Sequence, residues 1–291
     1  MVDKSICIVG LGLMGGSLAK ALKDHTRKLI AVDRHAATRQ MALSEGTVDI
    51  VTSDLEYGLE GADLVVLATP VHNILHILQE LPRLRPDGCL VTDLGSTKKE
   101  ICSAMSALPD SFSAIGGHPM CGKETAGYGA ADADLFRGQT FVLTRTARTN
   151  KKIEDLTLSL IEHIEAKPMF LPPLEHDQLV AAASHLPYLI SANLMHHAAK
   201  IKDERIWPVS ASGFRDTTRL AGSDPRMMLD ILLTNQEAVL SQLAQYKTSL
   251  EVLYHLLNDN DEGALASWLE EAQQAHIAYR RRKANGDDEH S

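Results

Sequence analysis

Residues 6–33, ICIVGLGLMGGSLAKALKDHTRKLIAVD, constrain the fold more than any other stretch of the chain. A short apolar run, Ile6 to Val9, meets Gly10, Gly12 and Gly15. A helix-compatible segment follows, and a second apolar run, Leu29 to Val32, closes on Asp33. Strand, tight turn, helix, strand and acid in that order form a dinucleotide-binding βαβ unit. Gly10 permits the sharp turn, Gly12 lets a pyrophosphate meet bare backbone, and Gly15 lets the helix pack on its strand. Leu13 and Met14 complete the turn, where the first helical N–H groups and the positive end of the helix dipole face an anion. Asp33 is placed to accept from both ribose hydroxyls and to repel a 2′-phosphate, which favours NAD. Arg34 beside it keeps NADP open.

The chain has 291 residues, long for one core and comfortable for two domains. Its first half alternates strand and helix patterns: Asp63–Ala68, Cys89–Thr92, Ser113–Ile115 and Phe141–Thr144 read as further strands, with a last βα unit from Lys151 to Phe170. Thr69 and Pro70 end the Asp63–Ala68 strand, and the residue before proline stays extended. After Pro172-Pro173 only helical patterns follow. The expectation is an α/β Rossmann-type doubly wound sheet over residues 1–172, an all-α domain over 173–280, and a charged, disordered tail over 281–291. Leu229, Leu233, Leu240, Leu243, Leu250 and Leu257 keep a 4–3 rhythm along what reads as one long helix. Such a stripe needs a partner, so a homodimer through this domain is expected.

A net charge of −9 with no basic stripe argues against nucleic-acid binding, and no run approaches the ~20 apolar residues of a membrane span. Met-Val-Asp-Lys runs almost directly into the first strand, so a signal peptide is not expected. The four cysteines lack paired spacing and read as reduced, consistent with the cytoplasm. His72 with His76, and His196 with His197, lack metal-ligand partners and read as solvated helix positions.

Ligands of such a sheet bind beyond the carboxyl ends of its strands. One end is Asp93-Leu94-Gly95-Ser96-Thr97-Lys98-Lys99-Glu100, in which Thr97 and Glu100 form a capping box. With Thr97 as the cap, the Ser96 hydroxyl is left for the cofactor edge. The other is Gly116-Gly117-His118-Pro119, where the glycines allow close approach to a ligand and Pro119 holds His118 extended off the sheet. Hydride removal from an alcohol carbon requires an acceptor for the hydroxyl proton, and His118 is the candidate general base. In the second half, Pro187 places a kink in the helical pattern of Ser184-His185-Leu186-Pro187-Tyr188. Arg215 and Arg219 stand four apart on one helical face. One can pair with Asp216, and the other can hold a substrate carboxylate.

Together GLGLMGGSL, Asp33, ATP at 68–70, DLGSTK at 93–98, GGHPMCGKE at 116–124, SHLPY at 184–188 and GFRDTTR at 213–219 resemble the prephenate/arogenate dehydrogenases of tyrosine biosynthesis, over roughly residues 5–280. The resemblance implies an anionic substrate, a cyclohexadienol bearing a ring carboxylate, oxidised and decarboxylated with NAD(P). It makes His118 the catalytic histidine and Ser96 the serine that orients it at the cofactor. It pairs Arg219 with the substrate carboxylate and places Lys123, Glu124, His185 and Tyr188 along the substrate pocket. Tyr188 departs from the histidine that some prephenate-using relatives carry, which leaves the keto/amino preference open. Other two-domain β-hydroxyacid-type dehydrogenases are the alternative, but they depend on a helical-domain lysine, and none stands between Leu174 and Ala199. A non-catalytic NAD sensor would not need His118 and Arg219 together.

Overall fold

The computed structural model describes residues 2–123 and 125–288. In chain order the elements are β1 (Val2–Val9), α1 (Leu13–Leu22), β2 (Thr26–Val32), α2 (Ala36–Ser44), β3 (Ile50–Thr52), α3 (Leu55–Leu59), β4 (Leu64–Leu67) and α4 (Val71–Leu84). Next come β5 (Leu90–Asp93), α5 (Lys99–Ser106), β6 (Ser113–Pro119), β7 (Thr140–Arg145), α6 (Lys151–His163), β8 (Lys167–Phe170), α7 (Pro173–Val180) and α8 (Leu186–Ala198). The remainder is α9 (Ile206–Val209), α10 (Ser212–Thr218), α11 (Pro225–Thr234), α12 (Gln236–Asn258) and α13 (Glu262–Asp288).

Among the described residues the strands form one eight-stranded sheet of order β3-β2-β1-β4-β5-β6-β7-β8. All neighbours pair in parallel except β6 with β7. The central strands are apolar without alternation because both faces are covered. Ile6, Ile8, Leu64 and Val66 point to one face, where they pack with Leu18 and Leu22 of α1 and Leu160 and Ile161 of α6. Cys7, Val9, Val65 and Leu67 point to the other, against Ile74, Leu78 and Leu81 of α4 and Ile101 and Met105 of α5. The period-two geometry of a strand sorts one apolar run into two cores. Each large side chain fully buried this way contributes roughly 1.5–3 kcal/mol.

The chain winds outward from β1 through β2 to β3, then crosses to β4 and proceeds the other way. The switch point between β1 and β4 brings Gly10 against Ala68 and Thr69, and there α/β sheets open a crevice for a ligand. β3 is absent from the sequence-based expectation, since three half-buried residues leave too short a pattern to read.

Two compact units divide the chain, Met1–Val239 and Leu240–Ser291. The long helix expected to carry the leucine stripe is interrupted. α11 ends at Thr234 and α12 begins at Gln236, because buried Asn235 leaves helical geometry and its side-chain amide donates to the Asp177 carbonyl at 2.7 Å. Leu229, Leu233, Leu240, Leu243, Leu250 and Leu257 are all exposed in the single chain. α13 continues to Asp288, into the segment expected to be disordered; the run Arg280 to Ala284 holds good helix formers that extend it. No helix among the described residues is long and apolar enough to cross a membrane.

Candidate active site

Every element of the proposed site that belongs to the sheet lies along its carboxyl edge. At the first turn, Gly10 has φ +99°, a left-handed conformation open to glycine. A side-chain carbon on it would lie 2.8 Å from Ala68 O and from Thr69 Cγ2, and one on Gly15 only 1.9 Å from Gly10 O. Gly12 meets nothing within 4 Å. α1 begins at Leu13 and Met14 with no capping side chain and no acid in its first turn, so its leading N–H groups are left for an anion. Asp33, half-buried at the end of β2, accepts from Leu11 N and His35 N, each at 2.8 Å, and keeps lone pairs for further donors. Arg34 is exposed and donates to His35. Pro70 starts α4, and the buried Thr69 hydroxyl beside it has no protein partner. Bare backbone, an open helix terminus, an acid with lone pairs to spare and an orphaned hydroxyl fit a dinucleotide.

Asp93 and Lys98 form a completely buried ion pair at the end of β5. The same carboxylate accepts from Gly95 N at 2.8 Å and Gly117 N at 3.0 Å, which fixes β6 one residue before His118. Burying such a pair gains little by itself, but removing either partner strands a charge in the interior, so its value is positional.

The Thr97–Glu100 capping box expected from sequence does not form. Thr97 is buried and bonds the Thr234 hydroxyl at 3.0 Å. The start of α5 is capped by Asp177 of α7, which accepts from Lys98 N at 2.7 Å and Lys99 N at 2.8 Å. A carboxylate far along the chain outcompetes the local hydroxyl because it satisfies two amides at once and faces the positive helix end. Local spacing carries no trace of that contact. The seam also holds His72, whose ring and backbone N–H engage Asp230, and an exposed Lys99–Glu237 ion pair at 2.7 Å.

His118 lies inside β6, paired across to Val142, rather than on a loop beyond the strand. Gly116 and Gly117 serve packing instead of ligand approach: a side-chain carbon would lie 2.7 Å from Cys102 Sγ at the first and 2.5 Å from Asp93 O at the second. The His118 ring is partly accessible. Its Nδ1 is 2.8 Å from Nε2 of buried His176, whose Nδ1 is 2.7 Å from Asp177 Oδ1. Burial, with His176, Lys98 and His185 nearby, holds the His118 pKa well below 6.5, so the ring is a neutral base. His176 and Asp177 were absent from the sequence reading; the one usable signal was a His-Asp pair on the first helix after the sheet.

Ser96 is half-buried at the end of β5 and makes no hydrogen bond to His118 among the described residues; the orienting contact comes from His176. His185 is buried, 3.3 Å from the Asn235 amide, at the end of a π-helical turn over Ala181–His185. That turn is the form the expected kink takes. Pro187 cannot donate to Ala183, and Leu186 N reaches back to Ala181 O instead. Tyr188 is half-buried on the first turn of α8. Arg219 follows directly on α10, still in right-handed helical backbone geometry four residues after Arg215. It is exposed and opens the short turn after α10, which is fastened to α8 by Ala221 N donating to Ser191 Oγ at 3.0 Å. Arg215 reaches Asp216 at 3.3 Å. Lys123 is drawn to its own loop, 2.9 Å from Asp132. Glu124 lies outside the described residues.

Two family models cover the chain in tandem: the nucleotide-binding domain of prephenate dehydrogenase matches residues 18–170, and its dimerization domain matches residues 172–271. The chain belongs to the prephenate dehydrogenase family. It is 31% identical over 277 residues to a prephenate dehydrogenase of Bacillus subtilis, covering 92% of this chain and 74% of that protein. It is 31% identical over 285 residues to a cyclohexadienyl dehydrogenase of Zymomonas mobilis, covering 95% and 96%. Among solved structures, prephenate dehydrogenase of Aquifex aeolicus with hydroxyphenyl propionate and NAD+ superposes with a TM-score of 0.89 at 29% identity, covering 96% of this chain and 99% of that one. Synechocystis arogenate dehydrogenase gives 0.78 at 33% identity, covering 94% and 99%.

Burial lowers the His185 pKa from 6.5 to about 4, with Asp177 raising it and His176 lowering it further. The unfolded chain therefore binds the proton first as pH falls. The stabilisation is complete above 6.5 and is lost towards about 4, on the order of 3 kcal/mol. Urea unfolding across this range is expected to lose less stability in His185→Gln than in the wild type; an unchanged difference contradicts the assignment.

Proposed function

We propose that the chain is an NAD-dependent dehydrogenase that oxidatively decarboxylates prephenate to 4-hydroxyphenylpyruvate, arogenate to tyrosine, or both. The observation that carries this reading is His118, a neutral, partly accessible imidazole at the carboxyl edge of β6 with one nitrogen already engaged by His176. NAD+ supplies the hydride acceptor. Gly10, Gly12 and Gly15, with Leu13 and Met14, would hold its pyrophosphate, Asp33 its ribose hydroxyls, and Thr69, Pro70 and Ser96 the edge nearest the chemistry. The carboxylate of Asp33, with Arg34 turned to His35, supports NAD over NADP.

The role of His118 is to take the proton of the substrate's 4-hydroxyl as hydride departs from the same carbon. The C–COO⁻ bond at the opposite ring position then breaks, its electron pair completes the aromatic ring, and the carbonyl pair returns to oxygen, which takes back a proton to become the phenol; aromatisation supplies the driving force. Arg219 holds the anionic carboxylate until it leaves as CO2. Its exposure and its place on a turn fastened to α8 support capture of an incoming anion. His185, Tyr188, Lys123 and Glu124 complete the substrate side in this reading.

The exposed leucines of α11 and α12 support assembly as a homodimer through the helical region. Four free cysteines are in keeping with a cytoplasmic enzyme.

The test is NADH formation with prephenate and with arogenate, each offered with NAD+ and NADP+. Turnover of either ring substrate supports the reading; none with any pair refutes it. His118→Asn is expected to lower kcat roughly 10²–10⁴-fold with NAD+ affinity retained. Unchanged kcat removes His118 from the chemistry. Arg219→Gln is expected to raise the substrate KM roughly 10–100-fold, the range for a lost hydrogen-bonded charge. An unaltered KM transfers carboxylate recognition elsewhere.

A further inference from the structure

A general base needs the correct nitrogen bare as well as a suitable pKa, and the groups behind His118 determine which nitrogen that is. Lys98 N and Lys99 N are backbone donors and end on Oδ1 and Oδ2 of Asp177. Oδ1 also lies 2.7 Å from His176 Nδ1. A carboxylate that accepts from two amides has no hydrogen to offer, so His176 must carry its proton on Nδ1. The His176 Nε2 is then a lone pair, and it stands 2.8 Å from His118 Nδ1. Two lone pairs at that separation repel, so His118 must also carry its proton on Nδ1. Its Nε2 is left bare.

We propose that His176 and Asp177 are positioning residues that lock His118 in its Nδ1–H tautomer, so that Nε2 is the atom that receives the substrate's hydroxyl proton. This rests on the reading of His118 as the base. The transfer breaks the substrate O–H bond and forms an N–H bond at Nε2. The O–H electron pair becomes the second bond of the carbonyl as the same carbon gives up its hydride, for which NAD+, when bound, would be the acceptor. His118 becomes a cation whose Nδ1–H still donates to His176, and the ordered His176–Asp177 pair opposes that charge without reorganising.

The groups facing His118 come from several elements. Asp93 and Lys98 at the β5–α5 connection neutralise one another, His185 stands at the end of the π-helical turn, and His176 and Asp177 occupy α7. Of these, the His176–Asp177 pair alone reaches a ring nitrogen of His118 by a hydrogen bond among the described residues. Asn235 holds the Asp177 carbonyl at 2.7 Å, so the pair is braced from α7 and from the α11–α12 junction together.

The direct test is proton–nitrogen correlation spectroscopy of full-length protein labelled with ¹⁵N-imidazole histidine, near neutral pH, with His118 assigned by its loss in His118→Asn. The expected spectrum shows His118 protonated on Nδ1, with Nε2 as the unprotonated nitrogen. Protonation on Nε2 in the wild type overturns the proposal. In Asp177→Asn an amide nitrogen seated at the Oδ1 position gives up the Lys98 N contact and donates to His176 Nδ1, reversing both rings and moving the His118 proton to Nε2. That variant is expected to show the reversed spectrum and a kcat lower by roughly 10²–10⁴-fold, with NAD+ affinity retained. Normal kcat with a reversed spectrum overturns the assignment of Nε2 as the acceptor. If Asp177→Asn does not fold, the wild-type spectrum alone decides the tautomer. Full activity in His118→Asn with the expected wild-type spectrum defeats the base and leaves the tautomer lock standing, so the two failures are distinguishable.

Discussion

The carboxylate of Asp177 joins three jobs that would otherwise require separate residues. It caps the first amides of α5, it ties the first helix after the sheet to the β5–α5 connection, and it faces the Nδ1 of His176. Because it is buried, the cost of leaving it unsatisfied is high, and the geometry that satisfies it is correspondingly narrow. The position of His118 follows from that geometry on one side and from the Asp93–Gly117 contact on the other. His118 is therefore held by two acids, Asp93 through the Gly117 amide and Asp177 through His176.

The same arrangement sets the electrostatics. A histidine in a polar, solvated crevice would be half charged near 6.5, and a protonated ring cannot accept the substrate's proton. Burial beside His176, Lys98 and His185 prevents this by making a resting positive charge unfavourable. Lys98 is itself held against Asp93, so the edge stays close to neutral while its dipoles remain oriented. The Asn235 break between α11 and α12 belongs to the same construction. The chain leaves helix where its side chain secures the Asp177 carbonyl and meets His185, then resumes as a helix with an exposed leucine face.

The sheet was legible because its determinants are local. Glycines at a turn and unbroken apolar runs of a doubly covered strand state their structure in adjacent letters, and the Gly10–Asp33 unit and, β3 apart, the strands through Phe170 follow from them. His118 was legible as a chemical group but not in its setting, since the strand extends through Pro119 by pairing with β7. Contacts of long sequence separation were invisible. Thr97 and Glu100 satisfy the capping pattern, yet Asp177 takes the position, and nothing near Thr97 announces it. The helix running from Leu229 to Leu257 failed for the same reason: the 4–3 rhythm continues through Asn235, while a buried tertiary hydrogen bond interrupts the backbone.

The proposed chemistry requires free His118 to be an uncharged acceptor at working pH. The pH dependence of kcat/KM tests it most directly, because that ratio reports ionisations of the free enzyme. The expected profile is a plateau that continues downward past 6.5, with an acid limb below it that is absent from the residual activity of His118→Asn. A limb with its midpoint at or above 6.5, assigned to His118 by its disappearance in that variant, would contradict it.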